Sequence, residues 1–373
     1  MWLALIAAAY AGTLTVDVLD VGQGDSILLR SPEGKAVLVD AGEGKSHVAD
    51  QLAALGVTEL SLAVATHPHA DHIGGMKEVV ERIPIKLYTD NGLPHTTATY
   101  TRLMTAVEAH QLPYKPAVAG QVWRLDDGIT LTVLSPTADP HTGTRSDLNA
   151  NSVVLRVTHG QDCMLLTGDA ERETELSLLH AGLQPCEVLK VAHHGSEYAT
   201  GQDLIQALRP KIAVISVGAD NSYGHPGPET MGRLTAAGVR VYRTDQDQGV
   251  RLLSSGKGWT VQTGQRPLAT APAPAPVAPV TPPAAATTPR PPPAVVAPLP
   301  PPTSVPAAPK AVAPAATPEV DPACPYIGSS ISTLFHDATC DTARRISPIN
   351  RVCFASREAA EQVGRKAAQD CTP

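Results

Sequence analysis

The sequence is poor in aromatic residues and in positive charge. Phe, Trp and Tyr make up 3% of the 373 residues, so a core must be built mainly from Val, Leu, Ile and Ala. The formal net charge of −7 argues against a chain-wide basic surface for nucleic acid. It leaves open a local positive groove, or bound metal ions that themselves supply the positive charge.

Long apolar segments are also absent, because no run approaches the roughly 20 residues of a membrane-spanning helix. The short apolar segment 1–11 ends in Ala9-Tyr10-Ala11, which suits signal peptidase, although no basic residues precede it. We expect a signal peptide at 1–11 and a secreted or cell-envelope (periplasmic) protein. The alternative is that this segment is a first buried strand.

Proline divides the chain, since 19 of its 35 prolines fall between residues 265 and 320. A stretch rich in Pro, Ala, Val and Thr cannot bury a core and behaves as an extended spacer. The composition therefore predicts a large domain at 12–264, a disordered linker at 265–320 and a small cysteine-containing module at 321–373.

Three histidines and an aspartate lie within six residues, directly after the apolar, strand-like run 60–65. They are His67, His69, Asp71 and His72, in the pattern H-x-H-x-D-H. A compact loop between a strand and the helix-like segment 76–81 can aim the first pair at one point and the second pair at a neighbouring point. Imidazole and carboxylate ligands suit zinc, manganese or iron.

Other polar residues follow apolar segments in the same way. Asp40 follows the predicted strand 36–39, Asp169 follows 163–167, and His193 and His194 follow 187–192. Strands alternate with helical segments here, and strand ends that converge on one rim are how a layered α/β fold builds a site.

Asp169 could bridge two metal ions, with His193-His194 completing the coordination of the second. Two divalent ions roughly 3.5–4 Å apart can hold a hydroxide nucleophile and stabilise both the attacking and the leaving oxygen. The ligands must be deprotonated, so we expect metal affinity to fall in acid.

Six stretches in order resemble the metallo-hydrolase domain of the ComEC-type competence proteins, within the metallo-β-lactamase superfamily. They are residues 19–26, 66–75, 151–155, 166–169, 189–196 and 221–226. The resemblance implies a four-layer αββα sandwich and a metal-dependent hydrolase of phosphodiester bonds that uses a metal-bound hydroxide. It also implies an exported DNA nuclease related to competence and DNA uptake.

The resemblance also assigns metal ligands for two divalent ions, Zn²⁺ or Mn²⁺. One ion would be held by His67, His69 and Asp169. The other would be held by Asp71, His72 and Asp169, together with His194 or His193.

Many superfamily members carry a His where this chain has Asn149 or Asn151, whereas the ComEC type, like this chain, tends to have Asn there. The first ion would then be completed by an Asn oxygen or by water, and whether one or two ions are bound stays open. We expect catalytic roles for Asp71, Asn151 and His225, and supporting hydrogen bonds to the ligands from Asp40 and Asn149. For His225 the expected role is on the substrate side, as a donor to a phosphate oxygen or leaving group; the alternatives are a ligand or a surface residue.

The module at 321–373 resembles the small metal-binding domain of the Ada DNA-repair protein, through residues 335–340 and 347–352. That family's closing C-x-x-C would need a cysteine at Ala368. An even cysteine count in an exported module suggests disulfides, and we expect Cys324–Cys353 and Cys340–Cys371.

The alternative for this module is zinc held by His336, Cys340, Cys371 and one further cysteine. A third bridge, Cys163–Cys186, is also possible, because these residues open the strands on either side of one helix. Residues 321–373 could contact DNA or associate with the cell envelope, but acidic and basic side chains balance there, which also fits a plain solvated surface.

Two other functions compete with a DNA nuclease. One is a small-molecule phosphodiesterase, for example of the phosphocholine esterase type. The other is a non-catalytic surface protein that binds DNA on the same scaffold. The near-complete ligand set from His67 to His194 argues against the second.

Overall fold

The structure is a computed structural model that describes residues 12–126, 128–265, 324–329, 334–340, 342–343, 346 and 351–368. The predicted signal peptide, nearly all of the predicted linker and Cys371 lie outside these residues. Within the described residues, no helix is long and apolar enough to cross a membrane.

Fourteen strands fall between residues 12 and 265. They are β1 (Leu14–Val18), β2 (Ile27–Arg30), β3 (Ala36–Val39), β4 (Leu62–Val64), β5 (Tyr88–Thr89), β6 (Val122–Asp126), β7 (Ile129–Ser135), β8 (Val154–His159), β9 (Asp162–Leu166), β10 (Val188–Lys190), β11 (Ile212–Ile215), β12 (Arg240–Arg243), β13 (Gly249–Ser254) and β14 (Trp259–Gln265).

Nine helices connect these strands, together with short 3₁₀ turns at Gly44–Ser46 and Ala192–Gly195. They are α1 (Val48–Ala54), α2 (Ala70–Ile73), α3 (Met76–Arg82), α4 (Ala98–Ala109), α5 (Asp147–Ala150), α6 (Arg172–His180), α7 (Gln202–Leu208), α8 (Pro228–Ala236) and α9 (Thr244–Asp247).

The strands form two seven-stranded mixed sheets, in the orders β14-β13-β1-β2-β3-β4-β5 and β12-β11-β10-β9-β8-β7-β6. In the first sheet β3, β4 and β5 are parallel. In the second sheet β9, β10, β11 and β12 are parallel. Parallel strands bring their carboxyl ends to one edge of a sheet, and the polar motifs follow these strands.

Three apolar layers show how the sheets and helices pack. In β2, Ile27 and Leu29 face a core shared with Leu131 of the second sheet. Leu28 between them faces the opposite way, into a core with Leu52 of α1 and residues of α3 and α4. A third core packs α6, α7 and α8 on the outer face of the second sheet. The period-2 alternation of a strand thus buries both faces of each sheet and produces the predicted αββα sandwich.

Two local predictions differ from the structure. Asp71 and His72 were expected on a loop but lie on the short helix α2, because the turn closes with hydrogen bonds from Ile73 N to His69 O and from Gly74 N to Ala70 O. The apolar pattern also predicts a strand around residues 118–123, but β6 begins only at residue 122, because a turn closes from Gln121 N to Val118 O.

A separate four-stranded sheet lies near the C-terminus, as the predicted small α+β module requires. Its strands are β15 (Tyr326–Ser329), β16 (Leu334–Asp337), β17 (Arg351–Phe354) and β18 (Lys366–Ala367), in the order β17-β15-β16-β18, with helix α10 (Arg357–Gln362). Phe335, Phe354 and Ala360 form its small core.

Candidate active site

Two groups of potential metal ligands meet where β4, β9 and β10 end. We name them by their first residues. The His67 cluster contains His67, His69 and Asp169, and the Asp71 cluster contains Asp71, His72, Asp169 and His194. Within each cluster the ligand atoms lie within 4.8 Å of one another. The structure therefore brings together residues that are more than a hundred positions apart in the chain.

Asp169 belongs to both clusters and directs one carboxylate oxygen toward each. Its Oδ1 lies 3.2 Å from Nε2 of His72 and 3.6 Å from Nε2 of His194. Its Oδ2 lies 3.7 Å from Nε2 of His67 and also 3.7 Å from Nε2 of His193. A carboxylate in this position can bridge two ions.

The same distances separate the roles of the two adjacent histidines. His194 lies with the Asp71 cluster, its Nε2 3.1 Å from Oδ2 of Asp71. His193 instead faces the Asp169 oxygen that points to the His67 cluster. Of the two residues left open for the second ion, the geometry favours His194.

Local backbone geometry places these side chains. His193 and His194 both have left-handed backbone angles, with φ of 49° and 53°, a conformation that costs about 1–2 kcal/mol per non-glycine residue. Gly168, with φ of 50°, precedes Asp169, and a Cβ there would come within 2.8 Å of the Thr66 side chain. Residues with strained backbone angles of this kind are most common at functional sites.

Asp40 orients His72. The buried carboxylate accepts hydrogen bonds from Nδ1 of His72 at 2.8 Å, from the Thr66 hydroxyl at 2.7 Å and from the Thr66 amide at 2.7 Å. With its proton held on Nδ1, His72 presents the lone pair of Nε2 to Asp169, which is how a carboxylate behind a histidine fixes a metal ligand. Burial raises the pKa of Asp40, and the His72 imidazole opposes this shift.

His194 is oriented by the backbone instead. Its Nδ1 donates to the carbonyl of Ser216 at 2.9 Å, which leaves Nε2 directed at the Asp71 cluster. Ser216 directly follows β11. Ser216 could not be identified from the sequence, because its backbone carbonyl makes the contact and every residue type has one.

The donor set fits divalent metal ions. Nε2 of His72 and Oδ1 of Asp169 are buried and, within the described residues, have no hydrogen-bond partner of good geometry. Orphaned polar atoms of this kind are costly unless a ligand satisfies them. Imidazole nitrogens together with carboxylate oxygens are the ligands of zinc and of neighbouring first-row metals.

Burial and neighbouring charges shift the pKa values of the potential ligands, and a metal ion would compete with protons for the same nitrogen and oxygen atoms. Burial would raise the pKa of Asp169, but the imidazoles of His72 and His194 hold it well below its usual range. Burial lowers the pKa of His67 well below 6.5. Burial also acts to lower the pKa of His72, but Asp169 and Asp40 outweigh it and raise that pKa.

The two predicted asparagines have different surroundings. The Asn151 amide bonds the backbone, accepting from His141 N at 2.8 Å and donating to the carbonyls of His141 at 2.8 Å and Asp147 at 2.7 Å. These bonds tie the Asn151 side chain to the backbone of residues 141 and 147, and the catalytic role expected of Asn151 stays a prediction. Asn149 donates to Oε1 of Glu171 at 3.2 Å, and its own buried Oδ1 has no partner among the described residues.

Glu171 was not predicted as a site residue. It is buried, its Oε1 lies 3.3 Å from Nδ1 of His193, and it also pairs with Arg145. Asn149 therefore reaches the site through Glu171 and His193. Glu171 directly precedes helix α6. Acidic residues are common at the N-terminus of a helix, so its residue type gave no sign of a role in the site.

His225 lies at the rim. Its ring centroid is 5.7 Å from that of His193, and Asn221 fixes its loop by accepting from His225 N at 3.0 Å and donating to His225 O at 2.8 Å. Burial and the neighbouring His193 and His194 lower the pKa of His225 to about 4. The imidazole is therefore neutral at pH 7.

A buried ion pair lies behind the site. Lys190, the last residue of β10, is fully buried, with Nζ 2.9 Å from Oδ1 of Asp25. The same Asp25 oxygen lies 3.6 Å from Nδ1 of His194. A lysine inside the apolar strand 187–192 was the available signal, since Lys is almost never fully buried unless it is paired.

In the C-terminal sheet, Cys324 and Cys353 form a disulfide, and Cys163 and Cys186 form another. The Cys324–Cys353 pairing was predicted, and Cys163–Cys186 was named as a possible third bridge. Cys340 is also disulfide-bonded, and its expected partner Cys371 lies outside the described residues. These bonds favour the disulfide alternative over zinc.

The chain matches the Metallo-beta-lactamase superfamily (Lactamase_B) over residues 19–219. It is 31% identical over 269 residues to ComE operon protein 3 of Bacillus subtilis, which covers 66% of this chain and 34% of that protein. It is 32% identical over 238 residues to Competence protein ComA of Neisseria gonorrhoeae, covering 62% and 31% respectively. The chain thus spans about a third of the length of these curated relatives.

A similar solved structure is a putative metal-dependent hydrolase from Parabacteroides distasonis. It is 15% identical, covers 63% of this chain and 94% of its own, and has a TM-score of 0.43. The family match covers more than half of the sequence and includes the residues of both clusters. The chain belongs to the metallo-β-lactamase superfamily.

Proposed function

We propose that this chain is an exported, metal-dependent hydrolase of phosphodiester bonds that acts on DNA. The observation that carries the proposal is the position of Asp169, whose two carboxylate oxygens face separate groups of imidazole and carboxylate ligands. Two-ion sites are suited to phosphodiester cleavage, because the paired ions stabilise both the attacking and the leaving oxygen.

The proposed ligands follow the clusters. His67, His69 and Asp169 would hold one ion, and the Asp71 cluster would hold the other, with Zn²⁺ or Mn²⁺ as the candidates. When bound, such ions polarise a phosphoryl oxygen and lower the pKa of water enough to provide a nucleophile at neutral pH. On the side of the His67 cluster, His193 lies next to Asp169, and Glu171 contacts the far side of the His193 ring.

The chain's own residues have separable tasks. Asp40 keeps a proton on Nδ1 of His72, and the Ser216 carbonyl keeps one on Nδ1 of His194, so both rings present Nε2 to the site. Asp71 is the most accessible carboxylate of its cluster, with a side chain 26% exposed against 3% for Asp169. Neutral His225 at the rim can donate a hydrogen bond to a phosphate oxygen or to the leaving group.

DNA is the proposed substrate because two relatives with about 31% identity are named for competence. The net charge of −7 would repel a polyanion, so the bound ions must supply the local positive charge. The disulfides Cys163–Cys186 and Cys324–Cys353 support export, since disulfides persist in oxidising compartments.

The C-terminal sheet is proposed as an Ada-like module appended to the hydrolase. It would hold DNA near the site or associate with the cell envelope. Arg351, Arg357 and Lys366 are exposed basic residues of this sheet and its helix, and they are the side chains expected to contact phosphates.

The test uses the purified full chain, loaded with Mn²⁺ or Zn²⁺, on DNA and on bis(p-nitrophenyl) phosphate. We expect hydrolysis of both, and DNA cleavage should fall steeply with added salt while cleavage of the small diester changes little. Asp169→Asn should lower both rates by about a hundredfold or more, since even residues behind a ligand contribute 10–100-fold. Asp203→Asn, an exposed aspartate of α7, is the matched control and should keep wild-type rates.

Three outcomes separate the alternatives. Cleavage of the small diester without DNA cleavage supports the small-molecule phosphodiesterase. DNA binding with no cleavage of either substrate, in folded and metal-loaded protein, supports a non-catalytic DNA-binding protein. Equal rates in Asp169→Asn and wild type would contradict the proposed site.

A further inference from the structure

The rim of the site carries exposed aromatic rings in a protein that has few aromatics. Tyr198 is 55% exposed and Tyr223 is 70% exposed. Among the large apolar and aromatic side chains that the structure describes, these two are the exposed aromatic ones. Single exposed rings are ordinary on a protein surface, but both of these lie on loops beside the clusters, where an aromatic face can stack on a nucleobase.

One ring stands on the His225 side. The rings of Tyr223 and His225 are close to parallel, with an interplanar angle of 16° and centroids 5.8 Å apart. His225 in turn lies edge-on to His193, with ring centroids 5.7 Å apart, and Nε2 of His193 is 3.7 Å from Asp169. The exposed Tyr223 ring is therefore two rings away from the carboxylate shared by the two clusters.

The other ring stands on the Glu171 side. The Arg145 guanidinium lies over the Tyr198 ring, 4.2 Å from its centroid. Arg145 also pairs with Glu171, whose Oε1 is 3.3 Å from Nδ1 of His193. Glu171 neutralises and fixes Arg145, which leaves its planar face and the Tyr198 ring as a stacking surface rather than as an unpaired phosphate contact.

Beside Arg145 and Tyr198 is a cavity of about 450 Å³. Its lining includes Glu171, Glu173 and Glu197 as well as arginines. Carboxylates repel a phosphate but accept hydrogen bonds from the amino and imino groups of a nucleobase. The cavity thus suits a base better than it suits a backbone phosphate.

We propose that the stacking rim, formed by Arg145, Tyr198, His225 and Tyr223, binds unpaired bases of single-stranded DNA next to the phosphate at the metal clusters. The proposal rests on the proposed function and specifies its substrate class. Bases in a duplex are already stacked on one another and cannot lie on protein rings, whereas a single strand offers a π-face at every nucleotide.

The test measures binding to metal-loaded protein, which keeps the positive charge of the ions, and uses probes with phosphorothioate linkages so that cleavage is slow. The probes are a labelled oligothymidylate and an abasic oligonucleotide with the same number of phosphates. We expect wild type to bind oligothymidylate more tightly than the abasic strand. Tyr223→Ala and Tyr198→Ala should each weaken oligothymidylate binding by about tenfold, in the range reported by alanine substitution at base-stacking aromatics.

Tyr223→Phe is the matched control, because it keeps the ring and removes only the hydroxyl, and it should bind oligothymidylate as wild type does. The ratio of oligothymidylate to abasic affinity should approach one in the alanine variants. A wild-type ratio of one, or a ratio that Tyr223→Ala and Tyr198→Ala leave unchanged, would overturn the stacking rim.

The two proposals fail separately. If metal-loaded wild type hydrolyses bis(p-nitrophenyl) phosphate but binds both probes equally, the stacking rim fails and phosphodiester hydrolysis stands. If wild type hydrolyses no phosphodiester, the proposed function fails, whatever the probes show.

Discussion

Asp40 shows how a residue outside the ligand set can control a ligand. It lies on a left-handed backbone position with φ of 59° and is fully buried. Its carboxylate holds His72 through Nδ1 and ties the Thr66 hydroxyl and amide to the same point. The geometry of His72 therefore depends on the charge and acceptor capacity of Asp40.

We expect Asp40→Asn to lower metal affinity by about 10–100-fold, because an amide cannot accept from both His72 and Thr66 with the strength of a carboxylate. A competition titration against a chelator of known affinity measures the change. Asp203→Asn serves again as the surface control. Unchanged affinity in Asp40→Asn would show that His72 keeps its orientation without this carboxylate.

At this scale the sequence predicted the residues that carry chemistry by type and spacing. His67, His69, Asp71, His72 and Asp169 were identified because imidazole and carboxylate groups follow predicted strands. Asp40, the partner of His72, was also predicted, from its place after strand β3. Glu171 and the Ser216 carbonyl were not, because their contacts with His193 and His194 join segments by tertiary packing.

The elements that position the site are short parallel strands, and one disulfide joins two of them. Cys163 lies in β9 and Cys186 just before β10, with Cα atoms 5.0 Å apart and 23 residues between them in sequence. These two strands deliver Asp169 and His193-His194. The bridge thus restrains the strands that carry the shared carboxylate and its neighbours.

Replacing both Cys163 and Cys186 by Ala should lower the free energy of unfolding by about 3 kcal/mol, mainly because the unfolded chain gains freedom over the released loop. Urea unfolding followed by circular dichroism measures this. The pair Cys324→Ala and Cys353→Ala in the small sheet is the comparison, and it should leave the main transition in place. An unchanged midpoint for the Cys163–Cys186 pair would contradict the expected contribution.

Asp90, directly after β5, offers a pH-dependent test of the fold. Burial raises its pKa, although its Oδ1 accepts from the Tyr114 hydroxyl at 2.7 Å and from Gly92 N at 2.8 Å, which oppose the shift. A carboxyl whose pKa is raised in the folded state stabilises the fold below its unfolded pKa, near 3.9, and loses that contribution as pH rises through the folded pKa.

Asp90→Asn mimics the protonated side chain at every pH. We therefore expect its Tm to exceed that of wild type at pH 7 to 8, and the difference to shrink as pH falls toward 4. Thermal melts across this pH range, with Asp203→Asn as control, measure it. A difference that is independent of pH, or a lower Tm at pH 7, would count against a protonation origin.

At the scale of elements, apolar patterning predicted the strands and helices near the site, including β3 at 36–39 and α3 from residue 76. It placed the strand near residue 120 too early and assigned α2 to a loop. Both errors occur at turns a few residues long, where one backbone hydrogen bond decides the structure and the side-chain pattern carries little information.

The whole chain has a net charge of −7, although the substrate proposed for its site is a polyanion. Because the two sheets pack face to face, Asp169 and His194 lie beside His67 and His72, although about a hundred residues separate the two pairs in sequence. The αββα arrangement could be predicted from the resemblance of six motifs. The exposed rings of Tyr198 and Tyr223 and the buried position of Glu171 could not, because exposure is a property of the packed fold and not of the motif.

The central claim is that Asp169 is shared by two metal ions. Elemental analysis of the full chain after loading with Zn²⁺ or Mn²⁺ and removal of excess metal tests it most directly, with Asp169→Asn and Asp203→Asn measured alongside. We expect two ions per chain for wild type and for Asp203→Asn, and less than one for Asp169→Asn, since both clusters lose the same carboxylate. Folded wild-type protein that retains no metal, or an Asp169→Asn variant that retains as much as wild type, would contradict it.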